Sequence, residues 1–390
     1  MIAQDPVIKL PVLISAALIC FCAGGLYGFS ALIPVIESSF NGTTGQAGLV
    51  FSIAIVAFTL AVIITPRLPS RLNELQGCAF FGLVGAGCLS LSIFAPGYLS
   101  FLTAFSAGFG ACSGAIYINA LATAAKAARP AIVTPVMVAS FGLGGAVYGL
   151  IWRRLVVDDW GTLALMPLTI VLLITSLVGL TVASREVPLK PAAASIQEEH
   201  TPVDRSFTFV LLWLSFAFGS TGGLMVLGLA GKITDSVGAT ITNTSFAIAG
   251  VAIGNTAGRL SVSGFNHLFK PVNTTLIAVM VAATGLAVTG LANTATHVTI
   301  GLIVVATGYG AVASTIPALV GDIYGKHRFA QMFSVIFTAW GVAGLFAPWL
   351  AGVIFDRTGD FQLAVVIALL VTLGSIVTLL LLKLIGRPTG

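Results

Sequence analysis

Gly108-Phe109-Gly110-Ala111 returns as Gly308-Tyr309-Gly310-Ala311, a shift of two hundred residues. Lys126 returns as Lys326 at the same shift, and Phe141-Gly142 is matched by Trp340-Gly341. Asn73-Glu74-Leu75 and Asn266-His267-Leu268 are a fainter echo. Self-similarity at fixed offset is the mark of a repeated architecture. Here the unit repeated is about half the chain.

The segments holding these matches are apolar. A helix of about 20 apolar residues crosses the hydrocarbon of a bilayer. Stretches of that kind run over 10–36, 47–65, 77–95, 99–125, 131–152, 162–183, 207–233, 243–264, 272–293, 297–322, 329–355 and 361–385, which makes twelve. The longest polar interruption, Ser184 to Ser206, contains Pro188, Pro191, Pro202, Glu198, Glu199 and His200, and it divides them six and six. The expected fold is all-α and integral to the membrane, with twelve transmembrane helices in two pseudo-symmetric six-helix bundles. The first bundle covers 1–183, a cytoplasmic linker covers 184–206, and the second bundle covers 207–390. Parallel repeats of this kind are built by secondary transporters, whose site lies near the bilayer midplane between the halves.

Composition supports the same reading. The chain is 57% hydrophobic and 8% charged, with mean hydropathy +1.05, whereas soluble domains carry roughly 25% charge. A pI near 9.1 does not point to nucleic acid here, because the basic residues sit in short loops. With both termini inside, inner segments hold Lys9, Arg67, Arg71, Lys126, Arg129, Arg185, Lys190, Arg205, Lys270, Lys326, Arg328, Lys383 and Arg387. Outer loops hold only Arg153, Arg154, Lys232 and Arg357. Thirteen against four favours cytoplasmic termini and a cytoplasmic linker. The first segment is too long for a signal peptide, so it reads as a span. Compact length and the lack of a eukaryotic targeting signal suit a bacterial inner membrane. The five cysteines all fall in apolar segments and support neither a disulfide framework nor a metal site. Trp152 and Trp160, flanking an outer loop, read as interfacial anchors.

One span is anomalous. Gly250-Val251-Ala252-Ile253-Gly254-Asn255-Thr256-Ala257-Gly258-Arg259 lies inside the eighth, and Arg259 is the only charged residue that fits neither a loop nor a helix end. A guanidinium keeps its charge, so it must face a partner or a water-filled cavity, or else snorkel to the nearer surface. Asn255 lies one turn earlier on the same face and either donates to a substrate oxygen or makes an interhelical bond. Gly250, Gly254 and Gly258 form a stripe for a closely approaching, sliding helix. One fixed cation neutralises one negative charge, which favours a singly charged anion over a doubly charged one; among the substrates of the group named below, that is a monocarboxylate over oxalate. No Asp or Glu lies deep in a span; Asp322 and Asp356 sit at helix ends.

Taken together, this chain resembles the major facilitator superfamily. Within it, three stretches look like the oxalate/formate antiporter and monocarboxylate porter group. These are Gly108 to Arg129 with Tyr117, Asn255-x-x-Gly258-Arg259, and Asp322-Ile323-Tyr324-Gly325-Lys326 through Ala339-Trp340-Gly341 to Phe355-Asp356-Arg357-Thr358-Gly359. The resemblance implies that Tyr117 contacts the substrate carboxylate from the half opposite Arg259. Tyr27 and Tyr309 are weaker candidates, and Asn119, two residues beyond Tyr117, points elsewhere. Phe141 and Trp340, related by the repeat, would form the apolar walls. Two departures stand out. The basic loop after span two is reduced to Arg67-Leu68-Pro69-Ser70-Arg71, which leaves the cytoplasmic gating contact in question. In span eleven, Trp340 stands where dicarboxylate carriers are expected to hold a lysine.

The resulting expectation is a secondary active transporter of small monocarboxylates of the lactate and pyruvate type, working by alternating access. Proton symport and anion exchange both remain open, because Asn255 stands where animal relatives are thought to use an aspartate. The expected partners are a small organic anion, with or without a proton, and the lipid bilayer, with a monomeric chain and no cofactor, metal or nucleic acid. Alternatives on the same fold are an exporter of neutral amphipathic compounds and an oxalate/formate-type exchanger. A receptor and an intramembrane enzyme are less favoured, since neither terminus holds a signalling domain and no span holds a nucleophile–base pair.

Overall fold

The computed structural model describes residues 9–68, 72–184, 207–265 and 269–385, and every regular element among them is helical. The spans are α1 (Leu10–Ser39), α2 (Thr44–Arg67), α3 (Glu74–Ile93), α4 (Tyr98–Ala125), α5 (Pro130–Val157) and α6 (Gly161–Ser184). They continue as α7 (Phe207–Asp235), α8 (Ile241–Phe265), α9 (Pro271–Leu291), α10 (Ala295–Gly325), α11 (Gln331–Thr358) and α12 (Gln362–Ile385). Each falls on a segment expected from the sequence. The linker beyond Ser184, Pro69–Arg71 of the basic loop, and Asn266–Leu268 of the faintest repeat match lie outside the described residues.

Local sequence sets the helix ends. Thr43 caps α2 and Asn73 caps α3, each accepting from the backbone N–H three residues on, while Gln46 and Gln76 return the bond. Proline opens α5 and α9, where a missing N–H costs nothing. Gly359, at φ 79°, stops α11 in a left-handed turn that suits glycine. Among the described residues, eleven of these helices are long and apolar enough to cross a membrane. The remaining one, α8, has 25 residues, and Asn243, Asn255, Arg259 and its serines and threonines dilute its apolar content. Exposed large side chains such as Leu91, Phe246 and Leu370 cover the outer faces, as expected where the solvent is hydrocarbon. The chain is an integral membrane protein.

Two stretches depart from α geometry. Gly24–Leu32 of α1 is a nine-residue 3-10 helix, far longer than the usual few residues. Leu102–Phe109 of α4 is π-helical. The 3-10 stretch is pressed onto α5, where a side chain on Gly24 or Gly28 would strike the backbone of Phe141 or Gly149. Tyr27 is carried on this stretch.

The first six helices meet the last six along α2 with α11, α5 with α8, and α1 with α7. This corrects one expectation. The Gly250–Gly254–Gly258 stripe does not face the other half; Gly254 and Gly258 lie against Ile303 and Thr307 of α10. It is close packing within the last six helices, not a sliding surface. The face of α8 toward α5 instead brings Thr256 onto Gly142 and Ile248 onto Gly149. Trp152 is also corrected: it is fully buried beside Tyr148, ring centroids 6.0 Å apart, while Trp160 is exposed as an anchor would be.

Candidate substrate-binding cavity

A cavity of about 550 Å³ lies between the two sets of six helices. Val62, Ala125, Val262 and Pro317, near the ends of α2, α4, α8 and α10, line its mouth with Pro135 and Phe333 near the starts of α5 and α11. Those helix ends lie on the side where the described chain begins and stops. The inner part is walled by Tyr27, Phe58, Tyr117, Phe141, Arg259 and Trp340.

Arg259 is the only charged side chain lining the cavity among the described residues. Its Nε donates to Asn255 Oδ1 at 3.0 Å, so the i, i+4 spacing turns the guanidinium back along its own helix. Its Nη2 donates to the Tyr27 hydroxyl at 3.4 Å, a long bond that crosses from α8 to α1. The Tyr117 hydroxyl interacts with the same guanidinium from α4. Three helices thus aim one guanidinium and two hydroxyls at one point. The cation brings only donors and the hydroxyls can donate too, which is the array an anion requires.

Placement follows the sequence for most candidates and departs for two. Arg259, Tyr117, Tyr27, Phe141 and Trp340 all line the cavity. Asn255 does not. It is fully buried with its amide nitrogen unpaired, and its oxygen is committed to Arg259. It positions the guanidinium and cannot donate to a bound molecule from there. Tyr309 is also fully buried behind the wall, where its hydroxyl accepts from Trp340 Nε1 at 2.6 Å. It holds Trp340 in place, because an indole N–H in an apolar interior needs a partner. Asn119 donates to its own helix at Ala115 O, 2.8 Å, as expected of a residue on another face.

Phe58 of α2 was not singled out from the sequence. Its ring centroid lies 5.6 Å from Tyr117, 5.7 Å from Phe141 and 5.6 Å from Trp340. Tyr27 meets Phe141 edge-on at 5.0 Å, and Phe337 stacks on Trp340 at 5.3 Å. The pocket therefore has a polar pole at Arg259 and an aromatic wall that joins both halves.

The opposite ends of the helices are shut. Lys232 Nζ lies 2.6 Å from Glu37, joining α7 to α1, and the same carboxylate accepts from Thr44 Oγ1 at 2.9 Å. Arg153 Nη2 lies 3.0 Å from Asp235, joining α5 to α7. Asp356 of α11 accepts from Thr44 N at 2.9 Å and Gly45 N at 2.7 Å. These are first-turn N–H groups of α2 that have no partner within their own helix. Arg153 and Lys232, expected in loops, lie on helices, Lys232 in the last turn of α7 and Arg153 just before the last turn of α5, and both are held in pairs. Beneath the pairs the backbones touch: a side chain on Gly48 would strike the Pro348 carbonyl, and one on Gly352 the Thr44 carbonyl. On the cavity side, Arg67 Nη2 reaches Ser334 Oγ of α11 at 2.9 Å across the rim.

No protein-family profile matches the sequence. The uncharacterized MFS-type transporter YhjX of Escherichia coli (strain K12) is 22% identical over 355 residues, covering 85% of each chain. Among solved structures, a bacterial homologue of the human lysosomal transporter Spinster, inward-facing and occupied, aligns with TM-score 0.68 at 14% identity over 95% of this chain and 96% of that one. The same homologue, inward-facing and unoccupied, aligns with TM-score 0.68 at 15% identity. The helical architecture and the full-length structural likeness show the major facilitator fold, and over most of both lengths the chain is similar to an MFS-type transporter.

Proposed function

We propose that this protein transports small monocarboxylates of the lactate and pyruvate class across the membrane by alternating access. The observation that carries the reading is Arg259, a single cation flanked by tyrosine hydroxyls in an otherwise uncharged cavity. In this reading the guanidinium binds the carboxylate, Tyr27 and Tyr117 donate to it, and Phe141 and Trp340 enclose the organic body. The site touches both halves, so an anion on Arg259 ties the last six helices to the first. An empty site leaves a charge unpaired in a low-dielectric space, which disfavours closure around it. Binding an anion removes that penalty and lowers the barrier to rocking.

The two halves, 1–183 and 207–390, would move about the linker at 184–206. By the bias of lysine and arginine, the cavity side faces the cytoplasm of a bacterial cell, and the described state is open inward. No carboxylate or imidazole lines the cavity among the described residues. Coupling therefore rests on exchange of two anions or on a proton carried with the substrate. The chain is expected to work as a monomer.

Charge-assisted hydrogen bonds contribute about 1.5–3 kcal/mol each. Losing a bidentate pair in Arg259→Gln should lower affinity by about a hundredfold or more. The test is thermal stability of purified protein against formate, acetate, lactate, pyruvate, oxalate, malonate and succinate. Stabilisation by lactate or pyruvate that vanishes in Arg259→Gln supports the reading. Stabilisation by oxalate alone would refute the single-cation arithmetic. A second reading, an exporter of neutral amphipaths, is favoured by the cavity's volume and its apolar, aromatic walls. It predicts stabilisation by neutral amphipaths equally in wild type and Arg259→Gln, and none by any acid.

A further inference from the structure

We infer that Phe58 sets the upper size limit of the carboxylate's organic body, and that it does so by closing the aromatic wall across the two halves. The inference rests on the carboxylate reading of Arg259. Phe58 is 3% exposed and lines the cavity. Its ring meets Tyr117 and Phe141 from the first six helices and Trp340 from the last six, at 5.6, 5.7 and 5.6 Å. Tyr117 links it to the charged pole, because the Tyr117 hydroxyl interacts with Arg259. A carboxylate seated on the guanidinium between these rings thus directs its remaining atoms toward Phe58.

The backbone that carries the ring cannot retreat to admit a longer body. Gly114 of α4 packs directly on the Phe58 carbonyl, and a side chain there would clash with it. The α2 backbone at this point is therefore fixed against α4. On the next residue, Thr59 bonds its own helix at Ile55 O, 2.7 Å, and lies against Gly341 beside Trp340. Backbone contacts on both sides fix where the Phe58 ring is rooted. Of the rings lining the inner part, Tyr27, Phe58, Tyr117 and Phe141 stand on the first half and Trp340 on the last, and Phe58 is the first-half ring that meets Trp340. Phe58 is where the wall joins, so its volume decides how much space closes around a substrate.

A hydrophobic pocket discriminates roughly 10- to 200-fold per methylene gained or lost. Phe58→Ala should therefore raise the preference for phenylpyruvate and 4-methyl-2-oxopentanoate over pyruvate by at least about tenfold. Phe58→Leu should shift the same ratio in the same direction by less. The experiment measures concentration-dependent thermal stabilisation by the three acids, and liposome uptake of each, for wild type and both variants. Phe58→Leu serves as the variant that keeps most of the packing if Phe58→Ala melts too low to assay. An unchanged ratio in a folded variant, with wild type responding to pyruvate, overturns the role of Phe58 and leaves Arg259 as anchor. A wild type that responds to no acid overturns the carboxylate reading and this inference with it.

Discussion

On the side where α1 ends and α2 begins, charged groups cross from one half to the other three times, at Glu37–Lys232, Arg153–Asp235 and Asp356 on the α2 N-terminus. On the cavity side, the rim is crossed by Arg67 and Ser334, a neutral acceptor in an exposed setting. The sealed side uses charges at helix ends, where water can replace each lost partner when the halves part. Its backbone contacts at Gly48 and Gly352 let the helices meet with little room for anything between. The cavity side keeps its one buried cation for the interior and its wall apolar. On the carboxylate reading, the contrast separates two tasks: closure is handled by paired charges near helix ends, and selection by a cation whose charge is costly until matched.

Substitutions should break this contrast in graded steps. Gly48→Leu forces a side chain into the Pro348 backbone, so the sealed side cannot close. The expected result is near-complete loss of transport with binding retained, checked by uptake against thermal stabilisation. Asp356→Asn weakens two charge-assisted bonds to N–H groups at a helix N-terminus, worth about 1–2 kcal/mol together with the dipole. The population of the described state should fall about five- to thirtyfold relative to the opposite one. Spin-label distances between the start of α2 and the end of α11 would lengthen; unchanged distances would contradict the role given to Asp356. Tyr27→Phe removes one neutral hydroxyl and should weaken acid binding by a few-fold to about tenfold, read as a shifted midpoint in the stabilisation curve. Arg154→Ala is the control. Its pair with Asp158 is 75% exposed on the arginine and spans only the end of α5, so it should change stability by less than about 0.5 kcal/mol.

The sequence carried the membrane architecture because twelve apolar segments are a composition-level signal that tertiary structure rarely overrides. Arg259 was legible for the same reason: a charge inside an apolar run is anomalous on its own. Its direction was less so. The i, i+4 spacing places Asn255 on the same face, but only packing shows that the amide is spent on the guanidinium and hidden from the cavity. Phe58 gave no signal, being one of 25 phenylalanines in a chain where apolar residues are the background. Glu37, Lys232, Asp235 and Asp356 stand near helix ends, where charged residues are expected, so their partnerships belong to tertiary structure alone. Trp152 misled because a tryptophan near a span end has two destinations, the interface or the core, and neighbours such as Tyr148 decide between them. The glycine stripe on α8 was right as a close-approach surface and wrong as a sliding one, since spacing fixes a face but not which helix meets it.

The most direct test of the central claim is counterflow in liposomes loaded with unlabelled pyruvate, following entry of labelled pyruvate through wild type and through Arg259→Gln of matched melting temperature. The account predicts transient accumulation with wild type and background levels with the variant. Accumulation by Arg259→Gln at a rate near that of wild type would contradict it.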